Sequence, residues 1–189
     1  PDSDELNAEL KVVDATIRRL LDGLAEHGLD QAVNIVVVSD HGMSTTSPER
    51  VIFLDDLLPE DFAHIVSYGV LTGIKPTRGH GRDTEAILFR KHEHMRCWRK
   101  GELPPRFHYG HNRRVPPLLC LANPGWVISS HAWLESKAHF SHGEHGYDNI
   151  HPDMRALFIA HGPAFRTNVV VPAFDNVDVY PLLAHLLGI

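Results

Sequence analysis

Asp40 and His41 stand side by side at the end of the run Val33-Asn-Ile-Val-Val-Val-Ser39, and Gly42 follows them directly. A carboxylate beside an imidazole on a fixed strand end is a good start for a divalent-metal site. The same two residues also read as a turn-capping aspartate followed by an ordinary polar histidine. A second group of candidate ligands lies far downstream. Between Ala138 and Pro152 come His139, His142, Glu144, His145, Asp148 and His151, with Gly143 and Gly146 among them. Asp and His are suitable zinc ligands, and a hydrolytic zinc site keeps one position open. Two metals side by side can hold both the attacking and the leaving oxygen of a phosphoryl group. On composition alone, solvated loop histidines are the better account of His142 and His145. The sequence holds 15 histidines, so most of them must be surface or structural residues, because a metal needs only a few.

The elements that position these residues follow from apolar spacing. Val33 to Val38 is a short, mostly β-branched apolar run without alternation, which predicts a strand covered on both faces, as in a parallel sheet. Gly42 permits a sharp turn after it. Asp40 and His41 are thereby placed at the carboxyl edge, where open α/β sheets hold their ligands. Residues 4 to 28 predict an amphipathic helix through Leu6, Leu10, Val13, Ile17, Leu20, Leu21 and Leu24. Asp2, Ser3 or Asp4 can cap its start, and Gly28 can end it.

The middle of the chain reads as smaller pieces. Val51 to Leu58 predicts a short strand and turn, and Ala63 to Leu71 a strand. Thr72 to Arg82 is Gly-rich and basic, which predicts a turn or exposed loop. Thr84 to Cys97 has helical composition, while Arg106 to Tyr109, Leu118 to Leu121 and Gly125 to Ser129 predict short strands. The stretch from Ala138 to Pro152 reads as a loop, the place where sites are built on a rigid scaffold. Arg155 to Ala160 predicts a buried strand. Val177 to Leu187 predicts a helix capped by Asp175 or Asn176 and ended by Gly188.

Composition narrows the function classes. A length of 189 residues suits one domain with a sizeable core. The net charge of -6 argues against a binder of nucleic-acid polymers, which would show a basic balance. No apolar run reaches the length of a transmembrane helix. Cys97 and Cys120 either pair, implying an oxidising compartment, or stay as two buried thiols, and their spacing decides nothing.

Four segments in order carry a resemblance. They are Val36-Val-Val-Ser-Asp-His-Gly-Met43, Glu144-His-Gly-Tyr-Asp-Asn149, Met154-Arg-Ala-Leu-Phe-Ile-Ala-His-Gly-Pro-Ala-Phe165 and Phe174-Asp-Asn-Val-Asp-Val-Tyr180. Together with Leu103-Pro-Pro-Arg-Phe-His-Tyr109, Arg113 to Pro116 and Pro124-Gly-Trp126, the chain resembles the nucleotide pyrophosphatase/phosphodiesterase family of the alkaline phosphatase superfamily.

The resemblance implies the C-terminal part of an alkaline phosphatase-like α/β/α sandwich, built around a mostly parallel sheet with a small antiparallel insertion. Residues 1–43 would supply a helix and the central strand, 44–125 the insertion, and 126–189 the remainder with its His-rich loop, within one domain. It implies two zinc ions, with Asp40 and His41 resembling the ligands of one and His145 a ligand of the other. His142 is left as a partner that orients a ligand. Zinc-dependent hydrolysis of phosphodiester or pyrophosphate bonds would use a threonine nucleophile outside this chain. That threonine is expected upstream of Pro1, on the N-terminal remainder of the catalytic domain, so no catalytic nucleophile is assigned within residues 1–189. A nucleotide phosphodiester is the favoured small-molecule substrate. Tyr147 is read as a structural aromatic or as a side chain near the site. The resemblance also implies an extracytoplasmic location and a Cys97–Cys120 disulfide. A phosphomonoesterase or phosphomutase of the same superfamily, or an inactive interaction domain, are the alternatives.

Overall fold

The computed structural model describes residues 3–189. In chain order its elements are α1 (Asp4–Glu26), β1 (Ile35–Val38), β2 (Ser44–Thr45), β3 (Val51–Phe53), β4 (Ala63–Ser67), β5 (Leu71–Pro76), α2 (Gly81–Leu88), β6 (Met95–Arg99), β7 (Leu118–Ala122), β8 (Val127–Ser129), α3 (His131–Glu135), β9 (Gly143–Glu144), β10 (Phe158–His161) and α4 (Val179–Leu187). They form two compact units. One is the chain up to Gly42 together with Ala156–Ile189; the other is Met43–Arg155.

In the first unit, Ser3 caps α1 by accepting a hydrogen bond from the Leu6 amide at 3.2 Å. Pro1, the residue upstream of which the nucleophile is expected, and Asp2, the other upstream capping candidate, lie outside the described residues. The apolar stripe of α1 is present as expected, yet none of its side chains is buried. β1 pairs with β10, antiparallel, from Ile35 opposite His161 to Val38 opposite Phe158. The unbroken apolar run predicted a strand covered on both faces, but Val38 is 47 % and Ile159 53 % exposed. Among the described residues β10 alone pairs with β1, so the run lacks the neighbours that would cover it. Gly162 follows β10 at φ 132°, and a Cβ there would lie 2.5 Å from the Val33 carbonyl oxygen. Only glycine accepts both the dihedral and the approach. α4 begins at Val179, after a 3-10 turn over Asn176–Asp178, and ends on left-handed Gly188. Asp175 precedes that turn without making a side-chain cap.

The second unit is organised around a four-stranded antiparallel sheet in the order β4-β5-β7-β6. β3 and β8 form a parallel pair, Val51 opposite Val127. The core gathers Leu54, Ile74, Leu88, Leu118, Cys120 and Ile128. Three readings of the sequence are corrected here. Thr72 to Arg82 is not an exposed loop: it begins inside β5 and continues into α2. Thr72 and Ile74 are fully buried, and a Cβ on Gly73 would meet Pro116 at 2.7 Å. The turn inside this stretch is confined to Arg78 and Gly79, where the His80 amide donates to the Thr77 carbonyl at 3.2 Å and Gly79 has φ 96°. The helix expected from Thr84 to Cys97 stops at Leu88, because Met95 to Arg99 is drawn into the ladder with β7. The strand expected at Arg106 to Tyr109 is a 3-10 turn, Pro105–Phe107, closed by His108 at φ 47°.

Cys97 and Cys120 face each other across β6 and β7 and form the disulfide. On the chain-entropy account a loop of this size stabilises the fold by about 3 kcal/mol. Intact mass should therefore rise by two hydrogens on reduction, and denaturant titration should show a loss of about that size. An unchanged mass would mean two free thiols.

Candidate functional site

The end of β1 is tied down before the first candidate ligand. The Ser39 amide donates to the Leu157 carbonyl at 3.1 Å, and the Leu157 amide donates back to Ser39 Oγ at 2.7 Å. Asp40 is held through its backbone, whose carbonyl accepts from Asn176 Nδ2 at 3.2 Å. Phe174, two residues before Asn176, meets Phe158 edge to face at 5.0 Å. Within this unit, then, Phe174-Asp-Asn braces Ser39-Asp-His.

His41 follows. Its amide donates to Asp40 Oδ1 at 3.0 Å. Its ring Nδ1 lies 2.8 Å from the Gly42 carbonyl oxygen. A carbonyl can only accept, so Nδ1 carries a proton. Nε2 sits 3.3 Å from Asp40 Oδ2. A proton on Nε2 makes this contact an ion pair, and a cation beside the two atoms would be held by both. Metal-binding histidines commonly donate their other ring N–H to a backbone carbonyl, which fixes the tautomer. This donor set fits a divalent cation.

His145 belongs to the second unit, in a segment anchored on both sides. Upstream, β9 pairs with β2, the Thr46 amide donates to the His142 carbonyl at 3.2 Å, and buried Thr46 Oγ1 donates to the Ser141 carbonyl at 2.6 Å. Thr46 is thus a structural hydroxyl. Downstream, Gly146 turns the chain at φ 90° and Tyr147 is buried, its hydroxyl donating to the Trp126 carbonyl at 3.0 Å. Tyr147 is a structural aromatic of this unit. Asp148 receives the guanidinium fork of Arg106, with Nη1 to Oδ1 at 2.6 Å and Nη2 to Oδ2. That fork holds the Asp148 carboxyl below its ordinary range, against a smaller opposing effect of burial. His145 is therefore an exposed imidazole on a loop anchored at both ends. His142 is exposed beside Phe140, ring to ring at 5.7 Å.

One cluster went unforeseen. Asp55, Asp56 and His131 bring three potential ligand atoms within 4.8 Å of one another. Asp55 Oδ2 accepts the His131 amide at 3.0 Å and lies 3.1 Å from its Nδ1, and the ring stacks on Phe53 at 3.9 Å. Burial pushes the Asp55 carboxyl up, and the His131 hydrogen bonds outweigh it and bring it down. Its local task is to satisfy a backbone amide at the start of α3. Asp55 and His131 lie 76 positions apart, and no local pattern announces their meeting.

Residues 1–148 match the family model for type I phosphodiesterase / nucleotide pyrophosphatase. The chain belongs to that family. Among its relatives, human ectonucleotide pyrophosphatase/phosphodiesterase family member 5 is 36% identical over 190 residues, covering 100% of this chain and 39% of the relative. The bis(5'-adenosyl)-triphosphatase of Xenopus laevis is 35% identical, covering 100% and 40%. The solved structure of human ectonucleotide pyrophosphatase/phosphodiesterase 5 superposes with a TM-score of 0.91 at 35% identity, over 100% of this chain and 50% of that one. An inactive murine form in complex with AMP gives 0.90 at 36% identity, over 100% and 49%. The fold is the alkaline phosphatase-like α/β architecture of this phosphodiesterase family, and the chain spans half or less of the length of these relatives.

The buried phenol of Tyr147 is pushed up to about 12 by loss of solvent and by the nearby Glu144 charge. In an unfolded chain it ionises near 10. The unfolded state thus releases its proton first, and stability falls as pH rises from about 10. Tyr147→Phe should flatten that alkaline limb in pH-dependent denaturation. At neutral pH it should cost about 1 kcal/mol for the lost hydrogen bond.

Proposed function

We propose that the protein containing this chain hydrolyses phosphodiester or pyrophosphate bonds of nucleotides, and that Asp40, His41 and His145 hold its divalent metals. The observation that carries this reading is the ring of His41. Its Nδ1 donates to the Gly42 carbonyl and its Nε2 lies 3.3 Å from the Asp40 carboxylate, a juxtaposition of imidazole and carboxylate that suits a shared metal ion. Family membership supplies the reaction class. Relatives named for bis(5'-adenosyl) triphosphate hydrolysis, and one solved with AMP, favour a nucleotide substrate.

In this reading Asp40 and His41 hold one zinc ion and His145 helps to hold a second. When bound, such a pair supplies charge neutralisation at the phosphoryl oxygens. The chain's own contribution is to present these donors in fixed geometry. The Gly42 carbonyl orients the His41 ring, Asn176 pins the Asp40 backbone, and the Arg106–Asp148 fork anchors the loop that carries His145. His142 is a candidate for orienting a ligand. The attacking threonine, expected upstream of Pro1, and the remaining ligands are assigned to the further length that the relatives possess. That remainder also accounts for the open stripe of α1, where Leu10 and Val13 are each 55 % exposed.

The disulfide suits an oxidising, extracytoplasmic compartment. Among the described residues no helix is long and apolar enough to cross a membrane.

In the full-length protein, Asp40→Asn, His41→Gln and His145→Gln should each weaken zinc binding at least about tenfold by competitive chelation, as loss of a ligand or its support does. Each should also abolish most hydrolysis of a nitrophenyl phosphodiester. Full metal content in all three variants would refute the ligand assignment. Faster turnover of a monoester than a diester would refute the substrate class. Residues 1–189 alone should bind zinc weakly and show no turnover of the diester.

A further inference from the structure

The charge of the chain is unevenly spread. Residues 90 to 114 carry eight Lys and Arg against two Glu, while the remaining sequence carries ten against 22 Asp and Glu. A strongly basic stretch thus sits inside an acidic chain. The structure gathers part of it into two adjoining grooves of the second unit. One, of about 470 Å³, is lined by Arg96, Trp98, Arg106 and Phe107. The other, of about 520 Å³, is lined by Arg90, Lys91, His92, Arg96 and Trp98. The two grooves meet at Arg96, Trp98 and Asn123 and make one concave track.

The cations along this face divide into two sets. Arg99 is spent on Glu85 and Glu102, and Arg106 on Asp148. Among the described residues, Arg90, Lys91 and Arg96 form no ion pair, and all three are exposed. Asp148 also lines the first groove but is matched by Arg106, so the unpaired charge along the track is positive, and exposed cations in a concavity attract an extended polyanion.

The aromatic rings discriminate among polyanions. Arg96 lies over Trp98 at 5.2 Å, Arg99 over Phe89 at 5.0 Å and Arg106 over Phe107 at 4.3 Å. Each ring is already faced by a guanidinium group. Single-stranded nucleic acid binds by stacking successive bases on aromatic rings, and here a guanidinium group over each of these three rings competes for that contact. A bilayer surface is flat and engages a flat or convex basic face, not a groove. Sulfated sugars need only spaced cations. They belong to the oxidising exterior to which the Cys97–Cys120 disulfide points.

We propose that the Arg90–Lys91–Arg96 track binds a sulfated polysaccharide chain. The test uses the full-length protein and a heparin-derived octasaccharide, with affinity measured by calorimetry at two salt concentrations, the higher about 0.15 M. The triple variant Arg90→Ser/Lys91→Ser/Arg96→Ser should lose at least about tenfold in affinity. Its slope of log Kd against log salt should shrink by about one per cation removed. A control with the same charge change on α1, Lys11→Ser/Arg18→Ser/Arg19→Ser, should stay within about twofold of wild type.

Arg90 Nε also donates to the Ala86 carbonyl at 3.2 Å. The double variant Lys91→Ser/Arg96→Ser leaves that bond in place and should fall between wild type and the triple variant. Equal loss in the α1 control, no binding at the higher salt, or displacement of the octasaccharide by an oligodeoxynucleotide or by phosphatidylserine vesicles at lower concentration would each overturn the proposal.

Discussion

The burial of β7 is the constraint on which the second unit depends. Leu118, Leu119 and Cys120 are at most 2 % exposed, and β7 hydrogen-bonds to β5 on one side and to β6 on the other. A strand buried to that degree must satisfy its backbone groups on both edges, because an unpaired buried amide costs as much as a lost hydrogen bond. This requirement draws Leu71 to Pro76 and Met95 to Arg99 into strands whatever their local composition suggests. It also sets the Cys97–Cys120 register, and it seats Arg96, Trp98 and Arg99 along the surface of β6. Arg96 thus owes its place in the groove to the pairing of β6 with a core strand.

The same logic explains which parts of the fold were legible. α1 and α4 are announced by apolar spacing, capping residues and a terminal glycine, all local signals. β1 and β7 are short β-branched or leucine-rich runs and were also visible. Thr72 to Arg82 was misread because its glycines and basic residues speak for a turn. Its actual state is decided by pairing with Leu118 to Leu121, far along the chain. Arg106 to Tyr109 was misread in the opposite sense, since two prolines and a left-handed His108 favour a turn over a strand. The candidate site divides in the same way. The placement of Asp40 and His41 just past a strand end was readable from the apolar run and the glycine. The brace from Asn176, the Arg106–Asp148 fork and the Asp55–His131 contact join distant positions and leave no mark in any local pattern.

The segments that carried the family resemblance take different physical parts. Val36 to Gly42 carries Asp40 and His41. Phe174 to Asn176 packs behind them, through a ring on Phe158 and an amide on the Asp40 backbone. Glu144 to Asn149 is a loop anchored by a phenol and a carboxylate, with the imidazole beside them. Most residues in these motifs therefore hold other residues still.

The acceptor that sets the His41 tautomer is a main-chain oxygen. Where a carboxylate side chain does this job, a single codon change can erase it. Here no exchange of side chain removes the group itself, and drift can disturb it only by bending the turn at Gly42. The orientation of this imidazole is thus tied to the path of the polypeptide, and it should outlast changes in the side chains around it.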